Sequence, residues 1–290
     1  MELNILQLNV FLEICKENIY QKELAIKLDK SKSQISRAIA VLSSVGLIEY
    51  SKRKLELSKN PFSTELKELL FKYPNLMEIL KDSGIPILQS FLTEKTVKEI
   101  SQETKLKEIT IYKFIEKTKN LSILIKQKNK YIFNEKLWHS LKEFIIDYNY
   151  YNNNTDNRIP KGSIIYYKNK KEIIFSTQEE LSNFIKTGFS VFKDYGINIL
   201  NTTNYYSLSN KKLTLIDILE HTMTIVEKTK DYRQLLYLVL FFQKYRKSIR
   251  YFNKPQLLLN IISVLDGKTI DGYPTLKEIK EKVKLYNIKI

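Results

Sequence analysis

A periodic apolar pattern near the amino terminus constrains the fold of this 290-residue chain more than any other feature. Between residues 5 and 45, apolar residues recur every three or four positions in three separate runs, the spacing of helices that bury one face. Gly46 follows the third run, where a residue that can adopt a left-handed conformation ends a helix. Residues 47–50 and 55–57 then read as two short strands. The pattern predicts three helices followed by a hairpin.

The third predicted helix has an apolar inner face and a polar outer face. The inner face carries five apolar residues: Ile35, Ala38, Ile39, Leu42 and Val45. The turn before the helix and the outer face carry groups that can bond to bases or phosphates, and we predict them as DNA contacts: Ser31, Lys32, Ser33, Gln34, Ser36 and Arg37. The tip of the hairpin adds three consecutive cations for the flanking phosphates, Lys52, Arg53 and Lys54. This order predicts a helix-turn-helix with a basic wing, although a trihelical module can also bind protein.

One stretch of this module carries a family resemblance. It includes the letters SRA at positions 36–38 and GLIE at positions 46–49. The module resembles the winged helices of archaeal and bacterial regulators of the MarR-like and ArsR-like type, and the resemblance covers about 45 residues. It implies a winged-helix fold in which the third helix enters the major groove of DNA.

Residues 84–133 repeat the same order of elements. Thr96 and Glu99 have the spacing of a capping box, which predicts a helix start, and residues 105–107 form the predicted turn before the next helix. The predicted inner face of that helix contains Ile109, Tyr112, Phe114 and Ile115. A strand, a basic turn and a second strand complete the pattern over residues 124–133.

The stretch from Thr96 to Lys113 is similar to the same regulator families, which implies DNA contacts from this module as well. The contacts predicted here, including two lysines of the basic turn, are Lys107, Thr110, Tyr112, Lys113, Lys128 and Lys130. Glu108 departs from the family pattern because a serine or a basic residue is usual there, and no glycine separates the helix from the hairpin. DNA contact and a structural or pairing role both stay open for this module.

The two modules lie about 80 residues apart, which indicates an internal duplication. A tandem pair can read two adjacent sites on one duplex, or two half-sites through a homodimer. The predicted fold class is mainly α with small β wings, in which two winged helix-turn-helix modules precede an α+β C-terminal domain. The predicted boundaries are 1–60 for the first winged helix, 61–83 for connecting helices, 84–148 for the second winged helix, 149–158 for an Asn-rich linker and 159–290 for the basic α+β domain.

The C-terminal domain mixes strand and helix patterns. Residues 163–167 and 172–175 alternate around a polar turn, which predicts a hairpin, and residues 178–185 suit a short helix. Two further strands are predicted at 197–200 and 205–208. Four predicted helices follow, over residues 215–226, 232–245, 254–265 and 276–286.

The charge of the chain is strongly positive. It carries 48 basic and 32 acidic side chains, a net charge of +16, of which residues 159–290 contribute +10. A surface of that sign attracts polyanions, so double-stranded DNA is the predicted partner. In the densest run, residues 244–254, cations alternate with aromatic residues. That run can grip phosphates and stack unpaired bases, or it can be a solvated helix end whose aromatic residues complete the core.

Several functional classes lack their motifs. No apolar stretch approaches the ~18 residues of a membrane span, and the start of the chain has no signal-peptide pattern, so we expect a cytoplasmic protein without membrane contact. Cys15 is the only cysteine, which excludes an internal disulfide framework. His139 and His221 have no partners at zinc-ligand spacing, and glycine-rich phosphate loops and nucleophile elbows are absent. The sequence therefore predicts no catalytic, metal or cofactor site and no enzymatic activity.

Three short stretches of the C-terminal domain, at 214–222, 232–237 and 272–279, resemble the C-terminal half of archaeal helix-turn-helix proteins. More loosely, they are similar to AbiEi-like antitoxins, which pair a winged helix with a C-terminal domain, repress their own operon and counter a nucleotidyltransferase toxin. The sequence thus predicts a DNA-binding transcriptional regulator whose residues 159–290 serve dimerisation, sensing or partner binding. The alternative is an antitoxin-like protein that binds a toxin through this domain and regulates its own operon.

Overall fold

The computed structural model describes residues 2–17, 19–51, 54–200, 202–249, 255–286 and 288. The chain divides into two compact units, residues 1–152 and 153–290. As a whole it is mainly helical with short antiparallel sheets, in agreement with the predicted class. Within the described residues, no helix combines the length and the apolar character needed to cross a membrane.

The first unit contains nine of the described helices and two hairpins, and both predicted sets of three helices and a hairpin are present. In chain order its elements are α1 (Ile5–Lys16), α2 (Gln21–Lys27), α3 (Lys32–Ser44), β1 (Ile48–Ser51), β2 (Lys54–Leu57), α4 (Pro61–Lys72), α5 (Leu76–Leu80), α6 (Gly84–Ser90), α7 (Val97–Thr104), α8 (Glu108–Lys119), β3 (Leu124–Gln127), β4 (Lys130–Phe133) and α9 (Glu135–Asn154). Strands β1 and β2 pair antiparallel, as do β3 and β4.

The linker predicted over residues 149–158 is too long at its start. The boundary between the units falls inside it, but α9 continues to Asn154, so its first residues are helical. The reason is aromatic packing, because Tyr148 is buried and the ring of Tyr151 lies 4.9 Å from that of Phe62 on α4. Burial of such rings stabilises a helix whose asparagine-rich composition would otherwise favour a loop.

The structure contains the predicted repeat, and the spacing between matching elements of the two copies is constant. Four pairs of elements begin at the same separation along the chain: α2 and α7, α3 and α8, β1 and β3, and β2 and β4. The residue two positions before the second helix of each copy also bridges to the hairpin, since Ile19 pairs with Leu55 and Lys95 pairs with Tyr131. Two copies of one local architecture therefore lie within the first unit, and positions in one copy can be matched to positions in the other.

The two hairpins begin in the same way although the sequences differ at the key position. Gly46 follows α3 with a φ of +76°, and Ser122 follows α8 with a φ of +50°. The carbonyl of Gly46 accepts a hydrogen bond from the Asn60 side chain at 2.7 Å, and that of Ser122 accepts one from Asn134 at 2.8 Å. A side-chain amide satisfies this carbonyl in both copies, and the second copy adopts the positive φ with a serine in place of glycine.

One apolar core runs through both copies. Its buried members extend from Leu3 before α1 to Tyr148 on α9, and they include residues of every helix of the unit. The backbone also joins the copies, because the amide of Asp82 donates to the carbonyl of Leu3 at 2.6 Å. The two modules are therefore packed as one body rather than joined by a free tether.

The predicted inner face of α8 is partly wrong. Phe114 and Ile115 are buried as expected, but Ile109 and Tyr112 are 61% and 50% exposed, and Ile111 lies in the core instead. Apolar residues occur around this helix on more than one side, so its periodicity does not fix which side turns inward. The neighbouring elements decide the phase of the helix. By contrast, the inner face predicted for α3 is confirmed at Ile35, Ala38, Ile39 and Leu42.

The second unit is a four-stranded antiparallel sheet followed by helices. Its elements are β5 (Ile164–Lys168), β6 (Ile173–Thr177), β7 (Ile185–Lys186), a short 3-10 helix (Gly188–Val191), β8 (Asn204–Leu208), α10 (Leu215–Thr229), α11 (Tyr232–Tyr245), α12 (Gln256–Leu265) and α13 (Leu276–Leu285). The strand order is β5-β6-β8-β7. The predicted hairpin, the strand at 205–208 and the four helices are confirmed, with small shifts at their ends.

Two predictions for this unit are wrong. Residues 178–184 form no helix, because Phe184 packs edge-on against Phe175 at 5.1 Å and the Leu181 amide donates to the Tyr206 hydroxyl at 2.9 Å. These contacts hold the segment in an irregular path over one face of the sheet. Residues 197–200 form no strand either, since no neighbouring strand pairs with them in the described sheet. Tertiary packing outweighs local propensity in both places.

Candidate nucleic-acid interface

The start of α3 is fixed by a reciprocal hydrogen-bond pair. Ser31 is the N-cap, and its hydroxyl oxygen accepts from the Gln34 backbone amide at 3.2 Å. The side-chain oxygen of Gln34 in turn accepts from the Ser31 backbone amide at 3.0 Å and from its hydroxyl at 3.1 Å. This capping box occupies groups that were predicted to contact DNA, so the side-chain amide nitrogen of Gln34 is the donor that remains available.

The outer face of α3 is polar and exposed along its first two turns. The exposed residues are those predicted to contact DNA: Ser31, Lys32, Ser33, Gln34, Ser36 and Arg37. The Arg37 Nε donates to the Ser33 carbonyl at 3.4 Å, which orients the guanidinium along the helix. Arg37 forms no ion pair within the part of the chain that the structure describes. Its terminal nitrogens can therefore meet a phosphate or a guanine edge without breaking an internal contact.

The hairpin of the first module presents one described cation next to an aromatic ring. The Lys54 Nζ lies 5.2 Å from the ring centroid of Tyr20, which is itself exposed. The β-bridge between Ile19 and Leu55 holds Tyr20 beside the hairpin. Lys52 and Arg53, the other two cations predicted at the tip, lie outside the described residues. No sequence pattern indicated the contact between Lys54 and Tyr20, because it depends on pairing between segments separated by α2, α3 and β1.

The second module presents different chemistry at the matching positions. Ile109 and Tyr112 take the places of Ser33 and Ser36 on the outer face. Lys107 is exposed at the N-cap of α8. In the hairpin, Lys128 is exposed, whereas the half-buried Lys130 lies 3.8 Å from Glu94. The module therefore combines basic residues with exposed apolar ones.

Two predicted contacts of the second module lie in a cleft of mixed charge. Thr110 and Lys113 line a cleft of about 190 Å³ whose walls include Glu78 and Asp82 as well as Lys81 and Lys117. Lys81 pairs with Glu78 at 2.6 Å, and Lys113 forms no ion pair within the described residues. The exposed apolar side chains of Ile109 and Tyr112 are what make the outer face of α8 less suited to a phosphate backbone. The first module has the more suitable surface for a nucleic acid.

The second unit contains a buried polar network at His221. The imidazole Nδ1 lies 2.8 Å from the Thr187 hydroxyl, and Nε2 lies 3.2 Å from the Glu172 carboxylate. Burial lowers the pKa of His221, and it outweighs the opposite effect of Glu172. The ring is therefore neutral at pH 7, with Nε2 donating to Glu172 and Nδ1 accepting from Thr187. Because Thr187 is fully buried, the arrangement holds elements together and offers no exposed nucleophile.

The described start of the basic-aromatic run completes a core. The Tyr245 ring packs 5.2 Å from Phe241 and its hydroxyl donates to the Tyr195 carbonyl at 3.1 Å, while Arg246 lies 3.6 Å from Asp266. Residues 250–254 of the run lie outside the described residues. The contacts that are described agree with a helix end that packs inward.

A carboxyl cluster lies between α4 and α9 in the first unit. Burial raises the pKa of Glu65 to about 7, and the charges of Asp147, Glu143 and Glu68 act in the same direction, together with a hydrogen bond to Asp147. Glu65 Oε2 is buried without a hydrogen-bond partner. No sequence pattern indicated this cluster, because its members come from two helices that are far apart along the chain.

The raised pKa of Glu65 predicts a loss of stability as the pH rises. Between about 4.5 and 7 the folded chain retains a proton on Glu65 that the unfolded chain releases, so the free energy of unfolding falls across that range. We expect Glu65→Gln to be more stable than the parent at pH 8 by about 1 kcal/mol, since Glu65 is partly exposed, and equally stable at pH 4.5. Urea unfolding at both pH values measures this difference. The exposed Glu116→Gln serves as the control, and an equal response of both variants would contradict the prediction.

No protein-family model, curated protein or solved structure matches this chain. Among the residues that the structure describes, no group of three or more His, Cys, Asp or Glu side chains has the arrangement of a metal site. The regulator and antitoxin resemblances stay predictions that rest on the residues quoted for them.

Proposed function

We propose that this chain is a DNA-binding transcriptional regulator whose first unit carries two winged helix-turn-helix modules. The observation that carries the proposal is the exposed polar face of α3, on a helix whose opposite face is buried at Ile35, Ile39 and Leu42. A recognition helix needs this combination, because the buried face fixes its position while the outer face reads the groove.

In this proposal the first module makes the principal DNA contact. Ser33, Ser36 and Arg37 face the major groove, and Lys54 on the hairpin contacts a flanking phosphate, with Lys52 and Arg53 added from the sequence. The second module contributes weaker backbone contacts through Lys107 and Lys128, because exposed apolar residues occupy the outer face of α8. The second unit, which carries most of the positive charge, serves dimerisation, sensing or partner binding.

A salt titration of the full-length chain on random duplex DNA tests the proposal. Each phosphate contact that is removed lowers the slope of log affinity against log salt by about one, so Lys54→Ala is expected to lower the slope by that amount. Lys130→Ala, at the matching position of the second module, is the control and should leave the slope nearly unchanged, since Glu94 lies beside it. If Lys54→Ala leaves the slope unchanged, Lys54 does not contact a phosphate.

The exposed apolar residues of the second module favour a second candidate function. Ile109 and Tyr112 lie about one turn apart on α8 and share its outer face, where apolar groups suit a protein partner better than a phosphate backbone. An antitoxin-like protein would use such a surface for its partner and the first module for autoregulation. This function is favoured over direct regulation if the full-length chain copurifies with a stoichiometric acidic protein partner.

A further inference from the structure

A cleft of about 390 Å³ lies in the first unit between α4 and α9. Its lining includes the apolar and aromatic residues Leu69, Tyr73, Leu137, Trp138 and Leu141, and the carboxylates of Glu65, Glu68 and Glu143. The volume is within the range of pockets that hold small organic molecules. None of these residues belongs to the proposed DNA-binding face.

The carboxyl groups of the cleft have no cationic partner among the described residues. Glu65, Glu68 and Glu143 form no ion pair within the described part of the chain, although the protein as a whole carries a net charge of +16. Lys72, the cation that lines the cleft, lies 5.2 Å from the ring centroid of Tyr73 instead of against a carboxylate. A cation bound in the cleft would supply a counter-charge to these carboxyl groups.

The aromatic part of the cleft is held in a defined position. Trp138 interrupts α9 with φ of −123° and ψ of 38°, and its indole nitrogen donates to the Leu121 carbonyl at 2.7 Å. The Trp138 and Tyr73 rings lie 4.8 Å apart at an angle of 58°. Leu137 beside them is 65% exposed. Fixed aromatic rings near carboxylates are the groups that recognise organic ammonium ions, through cation–π contacts and charge attraction.

We propose that this cleft binds a small organic cation with an apolar body. Its ammonium group lies near Glu65, Glu68 and Glu143, and its apolar body lies against Trp138, Tyr73 and Leu137. An anion would be repelled by the carboxylates, and a neutral apolar molecule would bury them without a counter-charge. This inference does not depend on DNA binding by α3.

Fluorescence of the full-length chain tests the proposal directly, because Trp138 is the only tryptophan and lies in the cleft. We expect 2-phenylethylammonium to change the emission in a saturable manner at pH 8. Two probes of similar size serve as controls: neutral 2-phenylethanol and anionic 3-phenylpropanoate. Both should bind at least roughly tenfold more weakly, because neither supplies a positive charge to the carboxylates. Equal binding of the ammonium and the carboxylate probe would overturn the proposal.

Two charge-removing variants locate the binding site. Glu65→Gln and Glu68→Gln are each expected to weaken 2-phenylethylammonium binding roughly three- to tenfold at pH 8. Glu116→Gln changes the net charge equally on an exposed part of α8 and should bind as the parent does. Glu68 is exposed, so its replacement preserves the fold, and circular dichroism confirms this for each variant. Parent-like affinity in both cleft variants would overturn the proposal.

Discussion

Arg37→Ala is expected to weaken binding to a preferred duplex sequence roughly five- to 150-fold, which corresponds to about 1–3 kcal/mol. The guanidinium lies on the exposed face of α3 and forms no ion pair within the described residues, so in the proposed complex it gains its charged partner from the DNA. An arginine that reads a guanine makes two parallel hydrogen bonds that alanine cannot replace. The measurement is an equilibrium titration at fixed salt, with a duplex selected against the parent protein.

The second module supplies the matched control for this variant. Lys113 occupies the position on α8 that is equivalent to Arg37 on α3, and it lines a cleft beside Glu78 and Asp82. We expect Lys113→Ala to change the affinity less than about twofold, because in the proposed complex the first module makes the principal contact and the apolar Ile109 and Tyr112 share the outer face of α8 with Lys113. A parallel titration on random duplex DNA distinguishes the loss of a base contact from the loss of a phosphate contact, because only the loss of a base contact lowers the preference for the selected site. If Arg37→Ala binds that site as tightly as the parent does, α3 does not read the groove.

His221→Ala is expected to destabilise the second unit by roughly 2–4 kcal/mol. The imidazole joins Thr187 to Glu172, and its removal takes a hydrogen-bond partner from the fully buried Thr187 hydroxyl and leaves the partly buried Glu172 carboxylate with its hydrogen bond from Ser207. It also leaves space in a packed region of α10, which adds to the cost. Urea unfolding followed by circular dichroism measures the loss of stability at pH 7.5.

The other histidine of the chain is the control for that measurement. His139 is exposed on α9, so we expect His139→Ala to change the free energy of unfolding by less than about 0.5 kcal/mol. Acid adds a second test. Because burial lowers the pKa of His221, the unfolded chain binds a proton below about 6.5 that the folded chain rejects, so the parent loses stability as the pH falls. His221→Ala should lack that part of the acid sensitivity. If His221→Ala and His139→Ala lower the free energy of unfolding equally, the His221 network does not stabilise the fold.

Local sequence features were sufficient for much of the first unit. The buried face of α3 follows from its apolar spacing, and the start of α7 follows from Thr96 and Glu99, whose hydrogen bonds form the predicted capping box. Gly46 ends α3 with the positive φ that its position indicated. These features depend on residues within one or two turns of each other, and that is why the sequence alone predicts them.

In the second module, local sequence features were not sufficient to predict the buried face of α8. The sequence predicted the hairpin and helices of this module, but the predicted inner face of α8 was partly wrong. Ile109 and Ile111 are equally hydrophobic, so hydrophobicity alone does not decide which of them enters the core. The elements packed around α8 bury Ile111 and leave Ile109 exposed, which changes the chemistry of the outer face from polar to partly apolar. The functional difference between the two modules thus depends on packing as well as on residue type.

Residue order alone is enough to predict the succession of helices and hairpins, the repeat of the two modules and the polar outer face of α3. Packing in three dimensions was needed to establish which side of α8 is buried, how residues 178–184 cover the sheet, and that α9 extends into the asparagine-rich stretch. Folding also brings Glu65 to Asp147, and His221 to Thr187 and Glu172. The physical reason is distance along the chain: capping and periodicity act between near neighbours, whereas burial and charge pairing join residues that meet only after the chain has folded.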